Sequence, residues 1–349
     1  MCFKVEIMSE TKRTPISDLG EFGLIDRITK DIKIHNASTE KGVGDDAAVL
    51  SYGAKKTVVS TDLLLEGIHF DLTYTPLRHL GYKAAVVNFS DIYAMNAEPK
   101  QLLVSIGVSG RFAIEDIDEL YSGIRMACDA YGVDLVGGDT SASMTGLTIS
   151  ATVIGEGEEG KLAYRSGAKP KDLICLTGNL GAAYMGLQLL EREKRVFAGN
   201  DQIQPQLDGY SYVLARQLKP EARKDTIKLL KENNIVPTSM IDISDGLSSE
   251  MLHICNQSKV GARIYLNRIP IASETFKLAE EMHMDAATAA LNGGEDYELL
   301  FTLPLSLHEK IKDLGGIDII GHIEEESKGV YLIAPDGEEI PLKAQGWRL

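Results

Sequence analysis

Seven aspartates in this chain stand beside glycine, serine or threonine, where a strand-like run ends or a loop enters a helix. Asp45 and Asp46 lie in GVGDDAAVL, Asp62 closes VVSTD, Asp91 falls in VVNFSDIYAMN, Asp139 follows VGG, and Asp242 and Asp245 share IDISDG. Taken singly, each suits a turn or a cap, and Asp245 before Gly246 is placed to cap a helix over 247–257. Asp91 resists that reading. It interrupts an apolar amphipathic helix three residues after Asn88, so the two polar groups share a face. A carboxylate buried without a partner is expensive, and a shared divalent cation would be a partner for all of them. Magnesium takes oxygen ligands, usually one or two protein carboxylates, with waters and substrate phosphates completing the shell. Seven carboxylates exceed the need of one ion. The predicted chemistry is a group of Mg2+ ions holding a nucleoside triphosphate and a second anionic substrate, with Ser60 and Thr61 beside Asp62 adding hydroxyl or carbonyl oxygens. Adjacent Asp45 and Asp46 are then tolerable because cations bridge them.

The elements that must position these residues follow from patterning. Runs rich in β-branched residues predict strands at 56–62, 101–108, 134–140 and 147–156, and apolar periodicity predicts helices over 80–96 and 114–132, the second closing on Gly132. A Gly-rich, charged break at 155–172 precedes a strand-loop-helix unit, DLICLTGNLGAAYMGLQLLERE, whose glycines read as a packing turn. Further on come a helix over 222–234, a strand-loop-helix over 239–257, a strand at 261–266, a helix near 272–283, GGEDYELLFTLP running into a strand, and a hairpin over 330–342 turning at Pro-Asp-Gly. The break divides the chain into a ragged segment 1–16, a domain over 17–157 and a domain over 158–349.

Composition agrees with that size. The 349 residues fit two domains at roughly 100–200 residues each. No apolar run approaches the roughly 18 residues that span a bilayer, so no membrane role is expected. With 36 basic and 51 acidic residues the net charge is −15, and no compact Lys/Arg cluster is present, which makes nucleic acid a poor partner. Small anionic substrates then require cations between themselves and the protein. Cys2, Cys128, Cys175 and Cys255 show no C-x-x-C spacing, and the latter three lie in apolar surroundings, so a reducing, cytoplasmic setting is expected. The opening MCFKVEIMSETKR lacks a secretory apolar region, and Met8 is an alternative start.

P-loop, protein-kinase, G-x-S-x-G and H-E-x-x-H motifs are absent from the sequence. Instead GVGDDAAVL, STDLLLEGIHF, YKAAVVNFSDIYAMNAEP, VGGDTS, RSGAKPKD, IDISDGLSSE and GGEDYELLFT together closely resemble the thiamine-monophosphate kinase family, within the ATP-binding superfamily that includes aminoimidazole ribonucleotide synthetase. The resemblance runs from GEFGLIDRI (20–28) to the terminal GWRL. STD with EGIHF, and GGEDYEL, separate this family from its superfamily relatives. Selenophosphate synthetase and the hydrogenase-maturation dehydratase fit less well, lacking here their reactive or terminal cysteine, and a purine-pathway ligase is left to assay. A non-catalytic nucleotide-binding module would bind ATP without turnover.

The resemblance implies a two-domain α+β fold of the aminoimidazole-ribonucleotide-synthetase type, a homodimer whose N-terminal sheets form a shared barrel, and a C-terminal α/β sandwich domain. It implies direct in-line transfer from ATP to thiamine monophosphate, giving thiamine diphosphate, the last step of that biosynthesis. Asp46, Thr61, Asp62, Asp91, Asp139, Asp242 and Asp245, with Ser60, would hold Mg2+, and Asp62, Asp91, Asp139 and Asp245 would carry the catalysis. ATP would contact Gly138, Asp139, Arg165 and Ser244, with Tyr121 near the adenine. His69, Glu295 and Trp347 would line the thiamine end, and Asp45 would stand just behind the metal ligands. On residues alone, Arg165 equally suits a surface linker, His69 and Glu295 turns, and Trp347 a packing anchor. Trp347 also departs from the family pattern, in which tyrosine or phenylalanine follows the glycine.

Overall fold

The structure, a computed structural model, describes residues 39–41, 44–51, 53–198 and 206–344. The ragged segment 1–16, GEFGLIDRI, Cys2 and Trp347 lie outside the described residues.

The first half contains β1 (Thr39–Lys41), β2 (Ala48–Ser51), β3 (Lys55–Leu65), α1 (Leu77–Ala94), β4 (Glu98–Val108), α2 (Ile114–Tyr131), β5 (Asp134–Ala142) and β6 (Leu147–Glu158). Its strands form a six-stranded sheet in the order β1-β2-β3-β6-β4-β5. Only the β4–β5 pair is parallel. Along β6 every second residue is buried, so Leu147, Ile149, Ala151 and Val153 turn inward while their neighbours stay half-buried, the period-2 pattern of a sheet packed on one face. Gly132 ends α2 as its sequence predicts, at φ 73° with its N–H bonded to Cys128 O.

The second half contains β7 (Leu173–Thr177), α3 (Ala182–Ala198), α4 (Ser211–Leu218), α5 (Lys224–Glu232), β8 (Ser239–Asp242), α6 (Leu247–Ser258), β9 (Val260–Tyr265), α7 (Ser273–Glu281), α8 (Ala286–Asn292), β10 (Leu299–Leu303), α9 (His308–Lys312), β11 (Ile317–Glu325), β12 (Val330–Ile333) and β13 (Glu339–Pro341). They build a seven-stranded mixed sheet, β13-β12-β9-β11-β7-β10-β8. β7, β8 and β10 are buried at every position, as expected of apolar runs covered on both faces. The two mixed sheets with their helices are the expected α+β architecture.

Helix α1 joins the halves. It is buried without a break from Leu80 to Ser90, packing on β3, β4 and β6 on one side and on β8 on the other. A helix enclosed on all sides must be apolar nearly all round, which makes each polar residue on it informative. It crosses α2 where both carry glycine: a Cβ on Gly81 would stand 1.9 Å from Leu120 O, and one on Gly123 1.9 Å from Arg78 O.

Candidate active site

The C-terminal half of α1, the middle of β3 and the end of β8 meet over the bend at residues 44–46. There one carboxylate oxygen each from Asp46, Asp91 and Asp242 lies within 4.8 Å of the others. Ser60, inward on β3, donates to Asp91 Oδ2 at 2.6 Å and lies 3.1 Å from Asp46 O. Ser90 donates from α1 to Asp242 Oδ2 at 2.5 Å, across 152 positions of sequence. Burial is the first cause of every pKa shift here. It raises Asp62 to about 6 and Asp242 to about 7, and lifts Asp91 well above the ordinary value, with Asp62, Asp242 and Asp46 adding repulsion. Burial also raises Asp46, against the pull of Arg165.

Arg165 is enclosed, not a surface linker residue. Its Nη2 donates to Asp46 Oδ1 at 2.5 Å and its backbone N–H to Asp45 Oδ1 at 2.6 Å. Asp45 Oδ2 pairs with Lys41 Nζ at 2.7 Å, so Asp45 serves the turn and Asp46 the cluster. The remaining oxygen, Asp46 Oδ2, is buried and has no hydrogen-bond partner among the described residues. A cluster of hard oxygen donors with one orphaned carboxylate oxygen fits a divalent cation of the Mg2+ type.

IDISDG and GGEDYE are interlocked. Glu295 N–H bonds to Ser244 O at 2.7 Å and Tyr297 N–H to Ile243 O at 2.9 Å. Gly246, not Asp245, is the N-cap of α6. Glu250, the last residue of IDISDGLSSE and one to which the sequence reading gives no role, is a buried carboxylate that accepts Asp245 N–H at 2.9 Å and lies 3.4 Å from Ser244 Oγ. Of the GGEDYE acids, Asp296 accepts Gly181 N–H at 2.7 Å and Ala183 N–H at 3.3 Å. The protein's own anion thus fills the start of α3, and TGNLG is a packing turn, as its spacing predicts. A Cβ on Gly178 would stand 2.2 Å from Glu298 Oε1. Glu298 itself takes Thr177 Oγ1 at 2.6 Å, Arg216 Nη2 at 2.9 Å, and Arg223.

Glu295 alone of the three faces outward, with Lys83 Nζ 3.0 Å from its Oε1. His69 Nδ1 accepts Leu65 N–H at 3.0 Å, closing a turn, and burial lowers its pKa. The hydroxyl of Thr61 turns to the opposite face of β3 from Ser60, donating to Ala151 O at 2.9 Å. Tyr121 packs half-buried on α2 against the first core. Gly138 and Asp139 lie exposed on β5, with Asp139 opposite Ser105 of β4. Two strands, β6 and β4, separate β5 from β3, a span of about 14 Å at the usual spacing. Within one copy, therefore, Asp46, Ser60, Asp91 and Asp242 come together at a shared cluster while Asp139 stands at the sheet edge.

This sheet, with its acidic cluster beneath an enclosed helix, defines a class: the family model described as "AIR synthase related protein, N-terminal domain" matches residues 44–156. Thiamine-monophosphate kinase of Bacillus subtilis (strain 168) is 35% identical over 337 residues, covering 94% of this chain and 99% of its own length. The Escherichia coli (strain K12) protein of the same name is 34% identical, covering 94% and 97%. A solved structure of AaThiL complexed with AMPPCP and TMP superposes with a TM-score of 0.81 at 33% identity, over 97% of this chain and 99% of that one. The chain belongs to the thiamine-monophosphate kinase family.

Proposed function

We propose that this protein transfers the γ-phosphoryl group of ATP to thiamine monophosphate, releasing ADP and thiamine diphosphate. A phosphate oxygen of the acceptor attacks the γ-phosphorus in line as the bond to the β-phosphate oxygen breaks. The acceptor is a phosphate monoester, so no general base is needed; the obstacle is repulsion between two anions. The observation that carries the reading is the Asp46–Asp91–Asp242 cluster with its orphaned oxygen. Asp46, Asp62, Asp91 and Asp242, with Ser60, Thr61, Asp139 and Asp245, would hold several Mg2+ ions. When bound, these would neutralise charge on the phosphates, which together with positioning supplies most of the catalysis in such reactions. Arg165 would exchange its Asp46 contact for a phosphate oxygen, and Ser60 and Ser90 keep Asp91 and Asp242 turned into the cluster. Ser244, Gly138, Asp139 and Tyr121 would contact ATP; His69, Glu295 and Trp347 would receive the thiamine moiety.

We assign the domains as 17–157 and 158–349, supported by a first sheet that ends at Glu158 and a second that begins at Leu173. A homodimer completes the proposal, its N-terminal sheets closing a barrel with ATP near the subunit boundary. It is supported by the exposed edge strand β5, where Val136 is 54% exposed. A second copy would bring its Gly138 and Asp139 to the cluster. Among the described residues no helix is long and apolar enough to cross a membrane, and Cys128, Cys175 and Cys255 are buried free thiols, which supports a cytoplasmic place. The test is to incubate the pure protein with Mg-ATP and thiamine monophosphate or thiamine and separate the products. Thiamine diphosphate from the monophosphate is expected; ADP release without it overturns the reading.

A further inference from the structure

Lys83 is a charged residue on α1 that the phosphoryl-transfer chemistry does not use. It is 4% exposed, with its Nζ 3.0 Å from Glu295 Oε1 and donating to Gln217 O at 3.2 Å. Removing an ammonium from water costs several kcal/mol even when it is paired, and an apolar side chain in its place is often neutral or stabilising. A lysine inside so enclosed a helix therefore calls for a reason beyond packing. Its partner supplies one. The Glu295 side chain keeps 31% of its exposure, and its backbone is held at φ 57°, a conformation uncommon outside glycine, by its N–H bond to Ser244 O. Strain of this kind gathers where a side chain must be aimed. Beside them, His69 lies within electrostatic reach of both Glu295 and Lys83. Because its Nδ1 accepts Leu65 N–H, the neutral ring carries its proton on Nε2, leaving a donor there.

Lys83, Val87 and Asp91 follow at four-residue steps and share one face of α1. Eight residues of helix place Lys83 about 12 Å from Asp91. One face of one helix thus carries the carboxylate cluster toward one end and the cation behind Glu295 toward the other.

We propose that Lys83 is a positioning residue for acceptor recognition: it fixes the Glu295 carboxylate so that its free side accepts an N–H donor from the heteroaromatic ring of the acceptor, next to the His69 Nε2–H. The inference rests on the acceptor reading given above. Lys83 does not touch the acceptor; it acts through Glu295.

The test compares Lys83→Met, Glu295→Gln and their double variant in the full-length protein, measuring KM for each substrate and calorimetric affinity for thiamine monophosphate. Lys83→Met is expected to raise the acceptor KM about tenfold or more, with the ATP KM within about twofold. The double variant should be no worse than Glu295→Gln alone, since coupled residues do not add. An unchanged acceptor KM, equal rises for both substrates, or additive losses overturn the proposal. Should Lys83→Met fail to fold, Glu295→Asp decides. It keeps the charge but draws the carboxylate back by one methylene from Lys83, leaves the buried helix untouched, and should weaken acceptor binding as much as Glu295→Gln; wild-type affinity in Glu295→Asp overturns the proposal. A wild-type protein that makes no thiamine diphosphate defeats the functional reading, whereas an active wild type with an unaltered Lys83→Met defeats only this inference.

Discussion

Asp242 and Glu298 are near neighbours where β8 pairs with β10, since Asp242 stands opposite Leu299, and both are fully enclosed. Glu298 is surrounded by donors: Thr177, Arg216 and Arg223 converge on it. Asp242 has one hydroxyl, from Ser90, and otherwise faces Asp46 and Asp91. Burial does not by itself separate Asp296 from Asp62. Burial raises Asp296, beside Glu298, to about 6 in spite of Arg216 and two backbone N–H groups, much as it raises Asp62. Partners do separate them. Asp296 and Glu298 have built-in donors, whereas among the described residues Asp62, Asp91 and Asp242 have no cation within ion-pair distance. Buried acids with complete partners hold a fold together; buried acids without them cost stability unless a ligand brings the missing charge. Of the seven aspartates and the GGEDYE acids, it is the incompletely partnered ones that should matter most to turnover.

The comparison breaks most decisively on activity. Asp62→Asn or Asp91→Asn should lower phosphoryl transfer by about 10³-fold, the scale on which preorganised electrostatics act, with a Tm equal to or above the wild type, because a neutral amide replaces a buried charge. A clear fall in Tm would move these aspartates to the structural group. Glu298→Gln should do the reverse. Leaving Arg216 and Arg223 without their carboxylate should cost about 3–5 kcal/mol in urea unfolding, with turnover per folded molecule changed only a few-fold. Stability within about 1 kcal/mol of wild type would show that this network is dispensable.

Acid strength sharpens the contrast further. An aspartate whose folded pKa stands above the unfolded 3.8, as Asp242 does at about 7, keeps its proton longer in the folded chain. The folded state then binds more protons than the unfolded one, so without divalent cations stability should fall as pH rises from about 4 to about 7, at a single site by up to about 1.4 kcal/mol per pH unit. Mg2+ held by the folded cluster, as proposed, should flatten the part of the slope due to Asp62 and Asp242, while the part due to Asp296 persists. Thermal melts in chelator and in Mg2+ across that range check this, and melts in chelator that rise with pH would contradict it.

Much of this arrangement is legible in the sequence, for identifiable reasons. Strands β3, β4, β5 and β6 show as β-branched runs, and the acids stand out because Gly, Ser and Thr flank them. β11 is not legible: IDIIGHIEE carries a glycine and a polar end, and the glycine is demanded by a bulge where a Cβ on Gly321 would stand 2.1 Å from Arg263 O. The spacing predicts that Asn88 shares a face with Asp91, but its amide donates to Ala84 O within its own helix, and Ser90 and Ser60 are the hydroxyls that reach the carboxylates. No local pattern shows that Ser90 meets Asp242, since that contact depends on how the two sheets close over α1, whereas Asp245 N–H meets Glu250 only five residues along the chain. Lys83 has a usable signal, its eight-residue spacing from Asp91 on an apolar helix, and it is easily passed over because one lysine on a helix is ordinarily a solvated one.

The smallest effect concerns Asp139, a proposed metal-binding aspartate that stands at a sheet edge, away from the cluster of its own copy. If each site is finished by the β5 of a second copy, Asp62→Asn and Asp139→Asn are each inactive alone, yet in a mixed dimer one of the two sites has both aspartates intact. Equal mixing by random two-fold pairing should then restore roughly a quarter of wild-type activity. If Asp139 instead reaches the cluster of its own chain, every site in the mixture carries one defect and nothing is restored. The measurement is turnover after the two variants are unfolded and refolded together. A regain that follows the fraction of mixed dimers would place Asp139 with the incompletely partnered acids, and none would leave β5 an edge strand whose aspartate serves its own copy or no site at all.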